Sequence, residues 1–158
     1  MGEPLIFETA LPDETATVEL AGQLAAALPD PAGNWLIALQ GELGAGKSTF
    51  ARAMLRRYGH DGPVPSPTYT LVEPYDFHGF SIYHIDLYRI SSPDELEFLG
   101  WSDLADGLRM VEWPERVQGL AEEADIRIVL RYADEGRRAE LVGMSLRGAE
   151  ILKGINLN

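Results

Sequence analysis

Gly41-Glu42-Leu43-Gly44-Ala45-Gly46-Lys47-Ser48 fits the pattern G-x-x-x-x-G-K-[ST] without a mismatch. Glycines let the backbone fold tightly, so successive N–H groups of Leu43, Gly44, Ala45 and Gly46 can turn inward onto a β-phosphate. A helix beginning here adds its positive end to the same anion. Lys47 has the reach for β- and γ-phosphates, the Ser48 hydroxyl can ligate Mg²⁺, and Thr49 is the natural contact to an α-phosphate. The pattern therefore points to a nucleotide triphosphate held with Mg²⁺.

Such a site needs a further acid near the metal and a group that places the attacking water. Two strand-like segments end in acids: Ile82-Tyr83-His84-Ile85-Asp86 and Leu108-Arg109-Met110-Val111-Glu112. Alternation puts Ile82, His84 and Asp86 on one face. Either Asp86 or Glu112 can be the acid that follows the second strand of the site. His84 reads as a hydrogen-bonded structural residue rather than a general base, and Arg89 as either a partner of Asp86 or a phosphate contact. Ser66-Pro67-Thr68 lies where a first switch loop would, so the Thr68 hydroxyl is a candidate contact to the γ-phosphate or Mg²⁺. Guanine recognition through N-K-x-D is excluded, because the only lysines are Lys47 and Lys153 and the latter is followed by Gly154-Ile155. Asp76-Phe77-His78-Gly79 matches D-x-x-G but suits a hairpin turn better. ATP is the favoured nucleotide.

The elements around these residues follow from pattern. Trp35-Leu36-Ile37-Ala38-Leu39 is a continuous apolar run of strand length, as expected of a strand buried on both faces, and it leads into the loop. A helix should follow through Tyr58 and close at Gly59, before a stiff loop containing Pro63, Pro65 and Pro67. Leu5-Ile6-Phe7 is a short strand candidate. Asp13 then caps a helix whose Val18, Ala21, Ala25 and Leu28 share one side, down to Pro29-Asp30-Pro31. Residues 68–75 and 80–90 read as one hairpin, and residues 124–132 and 138–146 as another. Ser92-Pro93-Asp94-Glu95 reads as a helix start with Ser92 at the N-cap. Leu108–Trp113 is a strand ended by Pro114. The expected fold is α/β, in a single domain spanning residues 1–158.

Charge narrows the partners. The 158 residues carry a net charge of −12, split evenly between the halves, with no cysteine. Cys-ligated metal, disulfides and thiol chemistry are excluded. Such an acidic surface repels phosphate backbones, so autonomous nucleic-acid binding is disfavoured. Met1-Gly2-Glu3-Pro4-Leu5-Ile6 shows no targeting pattern, and no apolar run approaches the ~18 residues of a membrane span. The expectation is a soluble, cytoplasmic protein with no membrane partner.

Four segments in order carry a family resemblance: residues 41–50, Ser66-Pro67-Thr68-Tyr69-Thr70-Leu71-Val72, His84-Ile85-Asp86-Leu87-Tyr88-Arg89 and Val111-Glu112-Trp113-Pro114-Glu115. Together with residues 94–100, this resembles the bacterial TsaE (YjeE) ATPases. The likeness is good over about residues 11–117 and looser beyond. It implies a three-layer P-loop NTPase-like fold whose central, mainly parallel sheet is flanked by antiparallel strands. It also implies slow, Mg²⁺-dependent ATP hydrolysis in support of N6-threonylcarbamoyladenosine formation in tRNA. The implied partners are TsaD and TsaB, a transferase pair that hydrolysis resets; tRNA would be reached only through that complex.

By the same resemblance Lys47 holds phosphates and Ser48, where Thr is commoner, ligates Mg²⁺. Asp86 and Glu112 are the functional acids, with Glu112 the first choice for the metal side. Thr68 belongs to a switch-like loop, Trp113 couples site to partner, and Thr17 lies near the base. Glu42 replaces the commoner Asp, a change expected to be neutral. The enzyme alternative is a P-loop small-molecule kinase, which would need an acceptor pocket and usually an Arg-bearing lid. A third class is a nucleotide-gated binding protein with negligible hydrolysis. Residues 91–115 hold seven acids against one Arg, a solvated acidic helix or a dock for a basic partner surface.

Overall fold

The apolar run before the phosphate loop becomes a strand at the middle of a seven-stranded sheet, in a computed structural model that describes residues 5–155. Met1–Pro4, part of the segment searched for targeting signals, lie outside the described residues. The strands are β1 (Leu5–Leu11), β2 (Trp35–Gly41), β3 (Val72–Phe77), β4 (Phe80–Asp86), β5 (Leu108–Glu112), β6 (Ile126–Tyr132) and β7 (Arg137–Gly143). Their order is β1-β7-β6-β2-β5-β4-β3. β6, β2, β5 and β4 run parallel, while β7 and β1 on one side and β3 on the other pair antiparallel. Central parallel strands with antiparallel flanks are the expected architecture. Pro74 sits within β3, at the sheet's edge, where a residue without an N–H is tolerated.

Two apolar layers clothe the sheet. Trp35, Ile37 and Leu39 of β2 face α1 (Glu14–Ala27), α2 (Lys47–Arg57) and α5 (Leu146–Lys153), burying Leu20, Leu24, Phe50, Met54, Leu55 and Leu152. Each fully buried side chain of this kind contributes about 1.5–3 kcal/mol. Leu36 and Ala38 face the other way, against Ile85, Val111, Leu96 of α3 (Glu95–Phe98) and Leu120 of α4 (Leu120–Glu123). This second layer consists of single helical turns rather than long helices. Among the described residues no helix is long and apolar enough to cross a membrane.

Local chemistry sets the boundaries. Asp13 caps α1 by accepting from Ala16 N–H at 2.9 Å, as its position predicts. β3 starts only at Val72, not at Thr68, because Leu71 N–H turns back to the Pro67 carbonyl at 2.7 Å and Leu71 adopts φ +69°. β4 stops at Asp86, short of residue 90, because the Asp86 carboxylate takes the Tyr88 N–H at 2.8 Å and turns the chain.

Ser92 does not cap the next helix. The cap runs in reverse, with the Glu95 carboxylate accepting from Ser91 N–H at 2.6 Å and Ser92 N–H at 3.1 Å. The helix behind this cap is a single turn, Glu95–Phe98, not an extended acidic helix. Residues 144–146 likewise leave the strand. Ser145 accepts from Gly148 N–H at 3.0 Å and starts α5, a helix that the hairpin pattern concealed. Asp76 and Phe77 belong to β3, and the turn narrows to His78-Gly79, with Gly79 at φ +96°.

Candidate functional site

β2 ends at Gly41, and the chain folds through Gly44 (φ +79°) and Gly46 (φ +113°) before α2 begins at Lys47. Those two residues hold left-handed conformations that a side chain would strain, and the Ala45 N–H between them donates to the Glu42 carbonyl at 3.0 Å. Phe50 N–H donates to the Gly46 carbonyl at 2.9 Å. The amides before it lack intrahelical partners, as at the start of any helix. They are the donors a phosphate would meet.

The other functional side chains arrive from neighbouring strands. In the parallel ladder Asp86 of β4 lies level with Glu112 of β5, and His84 lies two residues behind Asp86. All three project to the face that α2 covers, since Ile82, Leu108 and Met110 of the same alternation pack in that layer. Glu112 is 3 % exposed and stands under the start of α2, where the Ser48 hydroxyl donates to its Oε2 at 3.1 Å and Oε1 at 3.3 Å. His84 Nε2 contacts the same Oε2 at 2.5 Å. The Thr68 hydroxyl reaches Asp86 Oδ2 at a long 3.5 Å. Burial pushes the Asp86 carboxyl up from its ordinary range, assisted by the Glu112 charge, although the Tyr88 amide and the His84 and Lys47 charges oppose this.

Lys47 is buried, its ammonium donating to the Gly41 carbonyl and, at 3.5 Å, to that of Glu42. It also lies 3.7 Å from the centre of the Trp113 indole. Burial lowers its proton affinity, against the pull of Glu112, Glu115 and Asp86. Trp113 itself adopts φ +60°, ψ +47°, a left-handed conformation that costs a non-glycine residue about 1–3 kcal/mol. Tyr88 packs against its ring at 4.9 Å. Arg89 makes no ion pair with Asp86 among the described residues; its guanidinium lies over Tyr69, 4.5 Å from the ring centre.

Two clefts flank the loop. One of about 350 Å³ is walled by Leu11, Pro12, Asp13, Gly46 and Arg137, and it brings Thr17 and Thr49 together. The other, of about 480 Å³, lies between Glu42, Trp113, Glu115, Arg131 and Tyr132. The sequence offered no sign that β6 and β7 support the loop. Yet the Tyr132 hydroxyl donates to the Leu43 carbonyl at 2.5 Å, and Arg137 to the Gly44 carbonyl at 3.2 Å. No local pattern could have announced two contacts that span about ninety residues.

Among the described residues no group of three or more His, Cys, Asp or Glu side chains is placed to hold a metal ion by itself. Ser48, Glu112 and Asp86 are oxygen donors of the type that could serve Mg²⁺, which takes one or two carboxylates and draws the rest of its shell from water and phosphates.

A parallel strand, a glycine-rich loop and a helix, with acids on two neighbouring parallel strands, define a P-loop-like α/β fold. The crystal structure of Bacillus subtilis YdiB shares this fold, with a TM-score of 0.65 at 23 % identity over 97 % of this chain and 94 % of that one. Residues 11–140 match the family described as "Threonylcarbamoyl adenosine biosynthesis protein TsaE", and the chain belongs to that family. Among its relatives is the tRNA threonylcarbamoyladenosine biosynthesis protein TsaE of Haemophilus influenzae, 46 % identical over 123 residues, or 77 % of this chain and 78 % of that protein. The protein of the same name from Aquifex aeolicus is 38 % identical over 136 residues, or 85 % of this chain and 93 % of the relative.

Proposed function

We propose that this protein binds ATP with Mg²⁺, hydrolyses it slowly when alone, and supports formation of N6-threonylcarbamoyladenosine in tRNA by resetting a TsaB–TsaD transferase complex. The Ser48–Glu112 contact is the observation that carries this reading: the hydroxyl after the loop lysine meets a buried acid from the adjoining strand. Family membership supplies the pathway.

In the proposed reaction the amides of residues 43–48 and Thr49 hold the phosphates, and Lys47 exchanges the carbonyls of Gly41 and Glu42 for phosphate oxygens. Ser48 and Glu112 form the metal side, with Asp86 the adjoining acid. Held there by Ser48 and Glu112, Mg²⁺ would supply positive charge to offset that of the phosphates. Asp86, with its raised proton affinity, suits the side of the attacking water, and Thr68 beside it senses the γ-phosphate. Thr17 lies beside the base. Water attacks the γ-phosphorus, the bond to the ADP oxygen breaks, and inorganic phosphate leaves. The protein works in the cytoplasm and meets tRNA only through its partners, in keeping with its charge of −12.

The cavity of about 480 Å³ beside Glu42 and Trp113 gives the small-molecule kinase alternative a place for an acceptor. One experiment separates the two: phosphate release measured with and without the cognate TsaB–TsaD pair, with modified tRNA scored in parallel. Release into water that the partners stimulate, together with dependence of the modification on this protein, is the expected result. Absence of both refutes the function, and phosphate release that requires a small acceptor favours the kinase.

A further inference from the structure

Glu112 and His84 are separated by 28 positions in sequence and joined by the shortest contact between two side chains near the loop, Nε2 to Oε2 at 2.5 Å. Both side chains are withdrawn from solvent, His84 at 1 % and Glu112 at 4 % exposure. The remaining ring nitrogen, Nδ1, is buried without a hydrogen-bond partner. A carboxylate oxygen only accepts, so the proton of a neutral ring belongs on Nε2. His84 is closed off from solvent. Its contact with the site runs through Glu112.

We propose that His84 is a positioning residue. Its Nε2–H clamps Oε2 of Glu112, fixing the carboxylate so that both of its oxygens stay within reach of the Ser48 hydroxyl. The proposal rests on the ATPase reading of the site and adds a residue to it. Without the imidazole, Ser48 alone would hold a buried carboxylate, and Glu112 would be free to adopt other rotamers. Orienting donors behind a metal-side ligand typically change metal affinity or activity by about 10–100-fold when removed.

The test compares His84→Leu, His84→Gln and wild type, alone and combined with Glu112→Gln. The glutamine amide can donate near the position of Nε2, whereas leucine fills space only. Measured are kcat and KM for ATP, the Mg²⁺ concentration that half-saturates binding of a fluorescent ADP analogue, and melting temperature.

The expected result for His84→Leu is kcat reduced about 10–100-fold with KM within about 2-fold, and a rise of about 10-fold in half-saturating Mg²⁺. His84→Gln recovers most of both losses. On the Glu112→Gln background, His84→Leu adds nothing. A folded His84→Leu with unchanged kcat and Mg²⁺ dependence overturns the proposal. So does a His84→Gln no better than the leucine variant, or losses that multiply in the double variant. Should His84→Leu fail to fold, nitrogen-15 NMR of the wild-type imidazole decides: a proton on Nε2 supports the clamp, and one on Nδ1 alone overturns it. If wild type hydrolyses no ATP the functional reading falls, but the Mg²⁺-dependent binding and the tautomer still judge His84.

Discussion

At the end of the parallel strands remote from the phosphate loop, Asp125 ties three elements together, and its removal should cost the protein a measurable share of its stability. Its carboxylate accepts from Leu36 N–H at 3.0 Å, the Ser145 hydroxyl at 2.8 Å, and Arg147 Nε and Nη2 at 2.8 and 2.9 Å. Asp125→Ala strands the buried Leu36 N–H, a loss of about 1–3 kcal/mol. The Arg147 side chain is 45 % exposed and finds water, so the ion pair itself adds only about 1 kcal/mol. Ser145 keeps its bond to Gly148 N–H and adds little.

The sum is about 3 kcal/mol, or a fall in Tm of about 6–12 °C for a chain of this size. Asp125→Asn keeps an acceptor for Leu36 and should lose about 1 kcal/mol. Burial pushes the Asp125 carboxyl up, but Arg147, the Leu36 amide and Ser145 together outweigh it and leave it below the ordinary range. Its ionised form therefore stabilises the fold fully above the unfolded value of about 3.9, and that contribution disappears as pH falls through the lower folded value. Urea titrations at neutral and acid pH should show the gap between wild type and Asp125→Asn closing in acid. An alanine variant within about 0.5 kcal/mol of wild type, or a gap between wild type and Asp125→Asn that does not narrow as pH falls below about 3.9, would refute this account.

Lys47→Ala should abolish ATP binding by calorimetry, whereas Asp86→Ala and Glu112→Ala should bind nucleotide and lose turnover; wild-type rates in all three would sink the site assignment. A hydrolysis-dead Glu112→Ala that still supports tRNA modification would instead favour a nucleotide-gated binding role. At Gly148 a Cβ would overlap the Asp125 carbonyl oxygen, so Gly148→Ala should lower Tm by several degrees, about 1–3 kcal/mol of overpacking, without changing nucleotide affinity. Charge reversal at Asp94, Glu95 and Glu97 should weaken binding to the partner complex at low salt, as read by surface plasmon resonance; unchanged affinity would leave this stretch a solvated surface.

Neighbours in the chain encode the part of this structure that is legible in the sequence. The phosphate loop, the strand before it and the helix after it form one continuous pattern, and Asp13 announces its own cap. Asp86 and Glu112 are recognisable as acids at strand ends. That they stand level comes from the β4–β5 register, which no local signal carries. His84 looks structural because its partner lies 28 residues away.

Residues 68–71 look like strand from their β-branched and aromatic content, yet a hydrogen bond to the Pro67 carbonyl turns them into a loop beside Asp86. α5 is hidden because Ser145 continues an apolar stretch, and only its capping of Gly148 separates helix from strand. Ser92 and the acids after it suggest an acidic helix; it lasts one turn, Glu95–Phe98, and ends where Gly100 turns to φ +77°.

Pro74 has a meaning for how molecules of this protein meet one another. The outer side of β3 is an open edge of the sheet, where a second chain could add a strand and continue the ladder. Pro74 presents no N–H at the middle of that edge, and Glu73 and Asp76 place negative charge on either side of it. A copy of β3 approaching in register would meet both a missing donor and like charges. The β3 edge is therefore a poor template for an added strand.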